Sequence, residues 1–390
     1  MIDSTVPDHI RQLRDTLQRF VQKEMPRVEA ARWDKENYFP REVFDKLATL
    51  GVMGLAIPEE YGGAGRDILA AMVTIEELAK RSLAIAVPYI MTACYAGMTL
   101  AEVASEEQKR ELLPRVAEGR MIFAYGWTEP DVGADVASVK TTAVRDGNAL
   151  VVNGSKRFCS GAGLCNYIYT LVRTGPASQR GENLSFVLIP PNAPGVSIEP
   201  INSMGLKGVP TTDVVFTNVR IPCENLVGGE SGWNTGWAKL TGSGLNVEKL
   251  EVAALALGIG TAAFEDALEY SKTRRQFGKA IGEYQSIQHK LANMRTQLHA
   301  ARLMLYHAAV LADRKASCGV ETSMAKLFCS EVGKAVALEG QTILGAYGYV
   351  KELDMERYVR DALLMPIIGG SSAVQLNNIA NWTGARQYGA

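Results

Sequence analysis

Two short stretches of the chain gather the residue types that bind a flat, polar ligand. Tyr125 to Asp135 (YGWTEPDVGAD) and Asn153 to Gly161 (NGSKRFCSG) each join strand-forming residues to a glycine-bearing turn. Backbone amides and the hydroxyls of Thr128 and Ser160, presented at strand ends, can hydrogen-bond a heterocycle, and Trp127 and Phe158 can lie against its face. Taken singly, a Trp such as Trp127 is more often core than ligand contact. Other chemistries lack their residues. His289, His299 and His307, three of the four histidines, stand ten and eight positions apart, whereas a metal-binding helix needs i, i+3 or i+4 partners. The six cysteines (Cys94, Cys159, Cys165, Cys223, Cys318, Cys329) form no CxxC pair, which disfavours zinc and iron–sulfur sites and fits a reducing, cytoplasmic setting. No GxSxG, HExxH or GxxxxGK[ST] occurs, and no GxGxxG follows a strand, so a bound dinucleotide would be held without a βαβ unit.

The elements that must position these segments follow from periodicity. The chain has 390 residues, which at about 100–200 residues per domain suggests two or three packed units with a core needing no staples. Up to about residue 118 apolar positions recur at helical spacing, as in Ile10, Leu13, Leu17, Phe20 and Val21, then Val43, Phe44 and Leu47. Ile57 to Gly65 (IPEEYGGAG) reads as a loop. From about Ile122, short runs rich in Val, Ile, Tyr and Thr alternate with Gly, Pro, Asn and Asp, the pattern of antiparallel strands in a small barrel or sandwich. Helical periodicity returns from about Leu245 in stretches long enough to require a bundle. The expected organisation is α+β in three domains: helical 1–120, β 121–232 and a helical bundle 233–390. Leu83 to Val103 is the richest apolar run, but Pro88 and Gly97 interrupt it, so it reads as a buried helix-turn-helix and not a membrane span. Asp8, Arg11 and Arg14 break up the first turns, and no secretion leader is expected. With 41 basic and 42 acidic residues and no basic block, the electrostatic footprint of a nucleic-acid or polybasic membrane binder is missing. A small-molecule partner is expected.

Over nearly its whole length the sequence resembles the acyl-CoA dehydrogenase family of flavoproteins. The shared motifs are IPEEYGG, the TEPxxGxD and NGxKxFxS segments, GLKGVPTTDVVFTNVRIP from Gly205, RRQFGKAIGEYQSIQ from Arg274, and RYVRDALLMPIIGGSS from Arg357, in the family's order and spacing. The resemblance implies a helical domain, a middle antiparallel β domain and a C-terminal four-helix bundle. It further implies a homotetramer built as a dimer of dimers, with FAD between the β domain and the bundle and a neighbouring subunit completing the site. Tyr125, Trp127 and Thr128 match the strand lining the flavin ring, and Phe158 and Ser160 the positions beside it. Gly133 and Ala134 match the turn near the flavin pyrophosphate and the pantetheine. Arg274 and Phe277 match the pair reaching the neighbouring subunit's FAD, where a guanidinium suits phosphate oxygens. Thr342, Gly345 and Ala346 fall in the segment touching the same FAD, although the family's usual Gln is here Thr342. Ser371 matches the hydroxyl after the catalytic loop.

The resemblance also implies the reaction. A carboxylate removes an α-proton from an acyl thioester while a β-hydride passes to the flavin, and donors stabilise the charge on the thioester oxygen. Many members carry the base just before a Gly-Thr/Ser pair, and that position is Gly369 here. A smaller group, including the long-chain and isovaleryl enzymes, supplies it from the first long helix of the C-terminal domain. Counting back from RRQFG without a gap puts Glu248 there. Glu251, one turn later, reads as a solvated helix carboxylate. Gly369 keeps its backbone N–H as a donor to the thioester oxygen, with Gly370 beside it on the substrate side. Ala134, Asn246 and Lys249 replace a common Ser, Asp and Arg near the substrate, which leaves either CoA or a carrier protein as the thioester's handle. The expected function is FAD-dependent acyl-CoA dehydrogenation with an electron-transfer flavoprotein as acceptor. The alternatives on this fold are an enoyl-thioester reductase, an acyl-carrier-protein dehydrogenase, and a non-catalytic flavin-fold binding protein. Flavin monooxygenases need no base at either position, so Glu248 argues against them.

Overall fold

The structure is a computed structural model describing residues 6–241 and 243–384. Residues 1–5 and 385–390, the outer ends of the first and third expected domains, and Gly242 lie outside the described residues. Seven helices come first: α1 (Asp8–Glu24), α2 (Arg27–Glu36), α3 (Arg41–Ala48), α4 (Ile68–Ala79), α5 (Leu83–Tyr89), α6 (Thr99–Val103) and α7 (Glu106–Ala117). The strands β1 (Phe123–Gly126), β2 (Thr142–Asp146), β3 (Ala149–Lys156), β4 (Tyr167–Arg173), β5 (Leu184–Ile189), β6 (Val196–Pro200) and β7 (Thr212–Pro222) follow. After α8 (Gly236–Leu240) come α9 (Ser243–Thr273), a small ribbon of β8 (Arg275–Gln276) and β9 (Lys279–Ala280), then α10 (Gln285–Asp313), α11 (Gly319–Leu344), α12 (Met355–Ala362) and α13 (Ser372–Trp382). Contacts divide the chain into two compact units, one from Met1–Arg32, Ile68–Ala86 and Asn246–Ala390, the other from Trp33–Asp67 and Val87–Leu245.

The first unit is helical. α1 buries the stripe Ile10, Leu17, Phe20 and Val21, as its spacing predicts. Small residues bring α9 and α11 close, since a Cβ on Gly333 would stand 2.5 Å from the Ala256 carbonyl oxygen. In the middle sits a wholly buried carboxylate, Glu76 of α4. It accepts from Arg302 Nε at 2.9 Å and Tyr306 Oη at 2.7 Å, both on α10, and Arg14 of α1 lies 3.4 Å away. Burial alone would raise its pKa, but Arg302, Arg14 and Lys80 outweigh that and hold it at about 2.

The second unit is built on the sheet, whose strands run β1-β4-β2-β3-β7-β6, with β5 also on β4. The β2–β3 hairpin, β3–β7, β6–β7 and β4–β5 are antiparallel. The wholly antiparallel expectation fails at β1, which pairs with β4 in parallel from Phe123↔Tyr167 to Gly126↔Thr170, and at the single parallel contact Thr142↔Arg173 between β2 and β4. A parallel pair needs a long crossover, and the intervening β2–β3 hairpin supplies it. A further expectation is corrected in the Leu83–Val103 run. There is no turn: α5 continues through a π-helix, Ile90–Met98, into α6. Pro88 removes one donor from the ladder, and the widened turns follow it directly. Gly97 marks close packing, since a Cβ there would lie 3.2 Å from the Ile57 side chain. The run is apolar because 89% of its most hydropathic window is buried inside the protein. Its residues Ala96 and Leu100 join Phe123, Tyr169, Leu171 and Phe186 in one core.

Glu76→Gln should lower stability by about 3–5 kcal/mol at pH 7, the scale for breaking a buried ion pair. Because the folded-state pKa lies below the ordinary 4.5, the wild-type advantage is complete above pH 4.5 and fades as the pH falls towards 2. Urea unfolding of both proteins at pH 7 and pH 3 measures this, and an equal gap at the two pH values would contradict it.

Candidate active site

In the helical unit, the site is organised by the loop from Pro366 to Ser371 and the first turns of α9. Gly369 and Gly370 both have left-handed φ, 60° and 75°. A Cβ on Gly369 would stand 2.7 Å from Val252 Cγ2 of α9. This position therefore has neither the backbone angle nor the space for a side chain, which accounts for the missing loop carboxylate. Glu248 lies one turn before Val252, on the same side of α9, and is half-buried. Helix spacing thus puts the acid beside the loop that cannot carry one.

The loop is held at several points. Gln375 Nε2 donates to the carbonyls of Gly369 and Gly370 at 3.2 and 2.9 Å. Lys326 Nζ of α11 donates to the Met365 carbonyl at 3.0 Å, and Ser372 Oγ to Glu331 at 2.7 Å. Ser371 caps α13, its Oγ accepting from the Val374 N–H. With both glycine carbonyls engaged, the Gly369 N–H has no acceptor among the described residues. Asn246 Oδ1 accepts from Lys249 Nζ and Thr322 Oγ1, each at 3.3 Å. Lys249 is itself buried, and burial lowers its pKa.

Glu251 corrects the sequence reading. It is fully buried, not solvated, and neither carboxylate oxygen has a hydrogen-bond partner among the described residues. Burial first, then the nearby Glu248 charge, pushes its pKa well above the ordinary 4.5. The signal was present in the sequence. Apart from Glu248 at i−3, position 251 is surrounded on a helical net by Val247, Leu250, Ala254, Leu255 and Gly258, a largely apolar face. Lys326, Glu331 and Gln375 also belong to the site's surroundings, and no sequence motif marks them.

At the opposite end of the same unit, the predicted phosphate-side residues come together. Phe277 occupies the tip of the β8–β9 ribbon with φ 50° and is 95% exposed. Arg274 stacks over the Tyr347 ring, 5.6 Å from its centre. Tyr347 lies in the Gly345–Gly348 turn with Ala346, and exposed Thr342 is on the last turn of α11.

In the sheet unit, Tyr125 and Trp127 leave β1 inside an aromatic group, Tyr125 packing against Tyr95, Trp127 and Tyr169 with ring centres 4.6, 5.4 and 5.4 Å apart. Trp127 Nε1 and Tyr169 Oη are buried without a partner among the described residues. Glu129, which sequence reasoning quoted without a role, fixes the strand end. It accepts from Lys156 Nζ at 2.8 Å and from the backbone N–H groups of Lys140 and Thr141 at 2.7 and 2.9 Å. The Arg157 N–H donates to the Thr128 carbonyl at 2.8 Å, joining the two ligand-type segments. Phe158 is 57% exposed with φ 61°, and Ser160 Oγ pairs with Thr211 Oγ1 at 3.2 Å. Gly133 and Ala134 form an exposed turn. The exposed ring, free indole N–H and nearby hydroxyls are a donor set suited to a flat heterocycle and unsuited to a metal. Among the described residues no three His, Cys, Asp or Glu side chains gather as metal ligands.

Three family profiles match the chain: "Acyl-CoA dehydrogenase, N-terminal domain" over residues 7–120, the middle domain over 124–219 and the C-terminal domain over 234–384. An acyl-CoA dehydrogenase of Bacillus subtilis (strain 168) is 36% identical over 365 residues, covering 93% of this chain and 94% of the relative. The structure of a glutaryl-coenzyme A dehydrogenase glutaryl-CoA complex superposes with a TM-score of 0.92 at 32% identity, covering 98% of this chain and 97% of that one. The prolyl acyl carrier protein oxidase AnaB superposes with a TM-score of 0.90 at 29% identity, covering 97% and 100%.

Glu251→Leu should raise stability by about 1–3 kcal/mol at pH 7, the penalty of an unpaired buried polar group. Since the folded state favours the protonated acid, wild-type protein loses stability as the pH climbs past 4.5, and the variant should escape that loss. Denaturant unfolding from pH 5 to pH 8 would show a widening gap. A variant less stable than wild type across that range would contradict the assignment.

Proposed function

The chain belongs to the acyl-CoA dehydrogenase family of FAD-dependent oxidoreductases acting on CH–CH bonds, and from this we propose that it desaturates an acyl thioester at the α,β bond with Glu248 as the base. The observation that carries this reading is the pairing of an acid on α9 with a loop position, Gly369, closed to any side chain by Val252. Glu248 takes the α-proton. The Gly369 N–H, with no competing acceptor among the described residues, donates to the thioester oxygen and stabilises the enolate-like charge that develops there. Gly370 and the Gln375 clamp keep that donor in place.

FAD, when bound, supplies the two-electron acceptor for the β-carbon. Tyr125, Trp127, Thr128, Phe158 and Ser160 would hold its ring, with Gly133 and Ala134 towards its pyrophosphate and Ser371 after the loop. The unpartnered Trp127 Nε1 supports this. Arg274, Phe277, Thr342, Gly345 and Ala346 would serve the FAD of a neighbouring subunit in a homotetramer, a role supported by a phenylalanine 95% exposed. The domain bounds 1–120, 121–232 and 233–390, a cytoplasmic location and an electron-transfer flavoprotein as acceptor complete the proposal.

A second reading, a carrier-protein thioester in place of CoA, is favoured by one observation. Lys249, the position expected to face CoA, is buried and turned to Asn246.

Glu248→Gln should retain FAD and fold while slowing anaerobic flavin bleaching by an acyl thioester about 10²–10⁴-fold, the usual contribution of a positioned base. Bleaching at the wild-type rate would refute the assignment. One acyl group presented on CoA, on pantetheine and on an acyl carrier protein separates the two handles. A large advantage of CoA over pantetheine with an inert carrier protein establishes CoA. Efficient turnover of the carrier-protein thioester establishes the second reading.

A further inference from the structure

One buried cation beside this site has no part in the scheme above. Lys326 lies in α11 and is wholly buried. Its one hydrogen bond among the described residues goes to the Met365 carbonyl, at the entrance to the Gly369 loop. An ammonium withdrawn from water is strongly disfavoured without an opposite charge, and a carbonyl satisfies only one of its three protons.

The packing of α11 on α9 shows which charge it meets. Thr322 Oγ1 bonds Asn246 Oδ1 at 3.3 Å, and Gly333 packs on Ala256. These pairs are 76 and 77 positions apart in sequence, so the two helices run parallel in a constant register. In that register Glu248 is level with residues 324–325, within one turn of Lys326 along the helix axis. Two acids act on the ammonium, Glu331 from its own helix and Glu248 from α9. Glu331 is already engaged by Lys334 and Ser372 and has a 41% exposed side chain, so water and those partners absorb much of its charge. Glu248 is the second acid supporting the ammonium, and it is the one on the helix that carries the proposed base.

We propose that Lys326 is a positioning residue for the reaction, its ammonium keeping Glu248 ionised and ready to accept the α-proton while its bond to Met365 sets the loop that carries the Gly369 donor. This rests on the reading of Glu248 as the base. Burial pulls the lysine pKa down, to about 8, with Glu331 and Glu248 opposing the fall, so the cation persists through neutral pH. Of the other charged groups near Glu248, Lys249 also interacts with it, and burial together with the Glu248 charge pushes Glu251 towards its protonated form.

The test separates charge from tether. Lys326→Gln keeps a donor for Met365 but loses the charge, and Lys326→Met loses both. The readout is the anaerobic rate of flavin bleaching by a saturated acyl thioester from pH 5 to pH 10, with FAD content and Tm recorded for each holoenzyme. In both variants the rising limb of the pH profile should move up by about 1–3 pH units, the range for losing an adjacent opposite charge. The rate should recover at alkaline pH with KM little changed. A Lys326→Gln profile superimposed on wild type would overturn the proposal, as would a defect confined to Lys326→Met. The same coupling read in reverse needs neither variant. Glu248→Gln should lower the Lys326 pKa, followed by NMR of the labelled lysine Nζ, and an unchanged value would equally overturn it. Glu248→Gln with undiminished bleaching would instead remove the assignment of the base.

Discussion

Glu76 shares its charge with two helices and its backbone with a third. Its carboxylate is taken up by Arg302 and Tyr306 of α10 and lies near Arg14 of α1. Its own carbonyl stands where a Cβ on Gly258 of α9 would meet it at 2.5 Å. An ion pair removed from water gains little net energy over a well-packed apolar alternative, and its effect is chiefly positional: only one rotation and one depth of each helix satisfy every partner. α9 is thereby fixed against α4 at Gly258, and Glu248 and Glu251 hang from the same helix ten and seven residues earlier. The placement of Glu248 depends on that anchoring.

The sheet unit solves a comparable problem with Glu129 and Lys156. Both are buried, and the carboxylate takes two backbone N–H groups as well as the ammonium. Burial raises the Glu129 pKa, and Lys156 together with the Thr141 and Lys140 N–H groups more than offsets it, leaving the acid ionised beside Thr128. Lys156 also donates to the Trp127 carbonyl at 3.3 Å. A strand end carrying an aromatic ring and a hydroxyl is thus locked by a buried ion pair.

Much of this was legible in the sequence, and the omissions have a common cause. Helices appear wherever one face is apolar, and Glu248 can be placed on the first turns of α9 by counting because that helix runs unbroken to Thr273, just before RRQFG. A carboxylate three residues from another suggests a wet face at Glu251, although apart from Glu248 its neighbours on the helical net are apolar or glycine. The parallel pairing of β1 with β4 depends on contacts more than forty residues apart, which local alternation does not encode. In Leu83–Val103, Pro88 and Gly97 read as punctuation, but burial of the surrounding apolar residues outweighs the weakened ladder. Lys326 carries no motif. Its significance comes only from the register between two helices.

The closed position at Gly369 also shapes the routes by which such an enzyme can change. An acid placed there would face a left-handed φ and the methyl of Val252 together. Shortening Val252 first would leave a void beneath the loop, and with Glu248 as the proposed base, removing it first would leave none, so on that proposal each single step is penalised before the combination can work. The helical and loop solutions to proton abstraction are therefore separated by a valley, and this chain is held on its side of it by one methyl group and one dihedral angle.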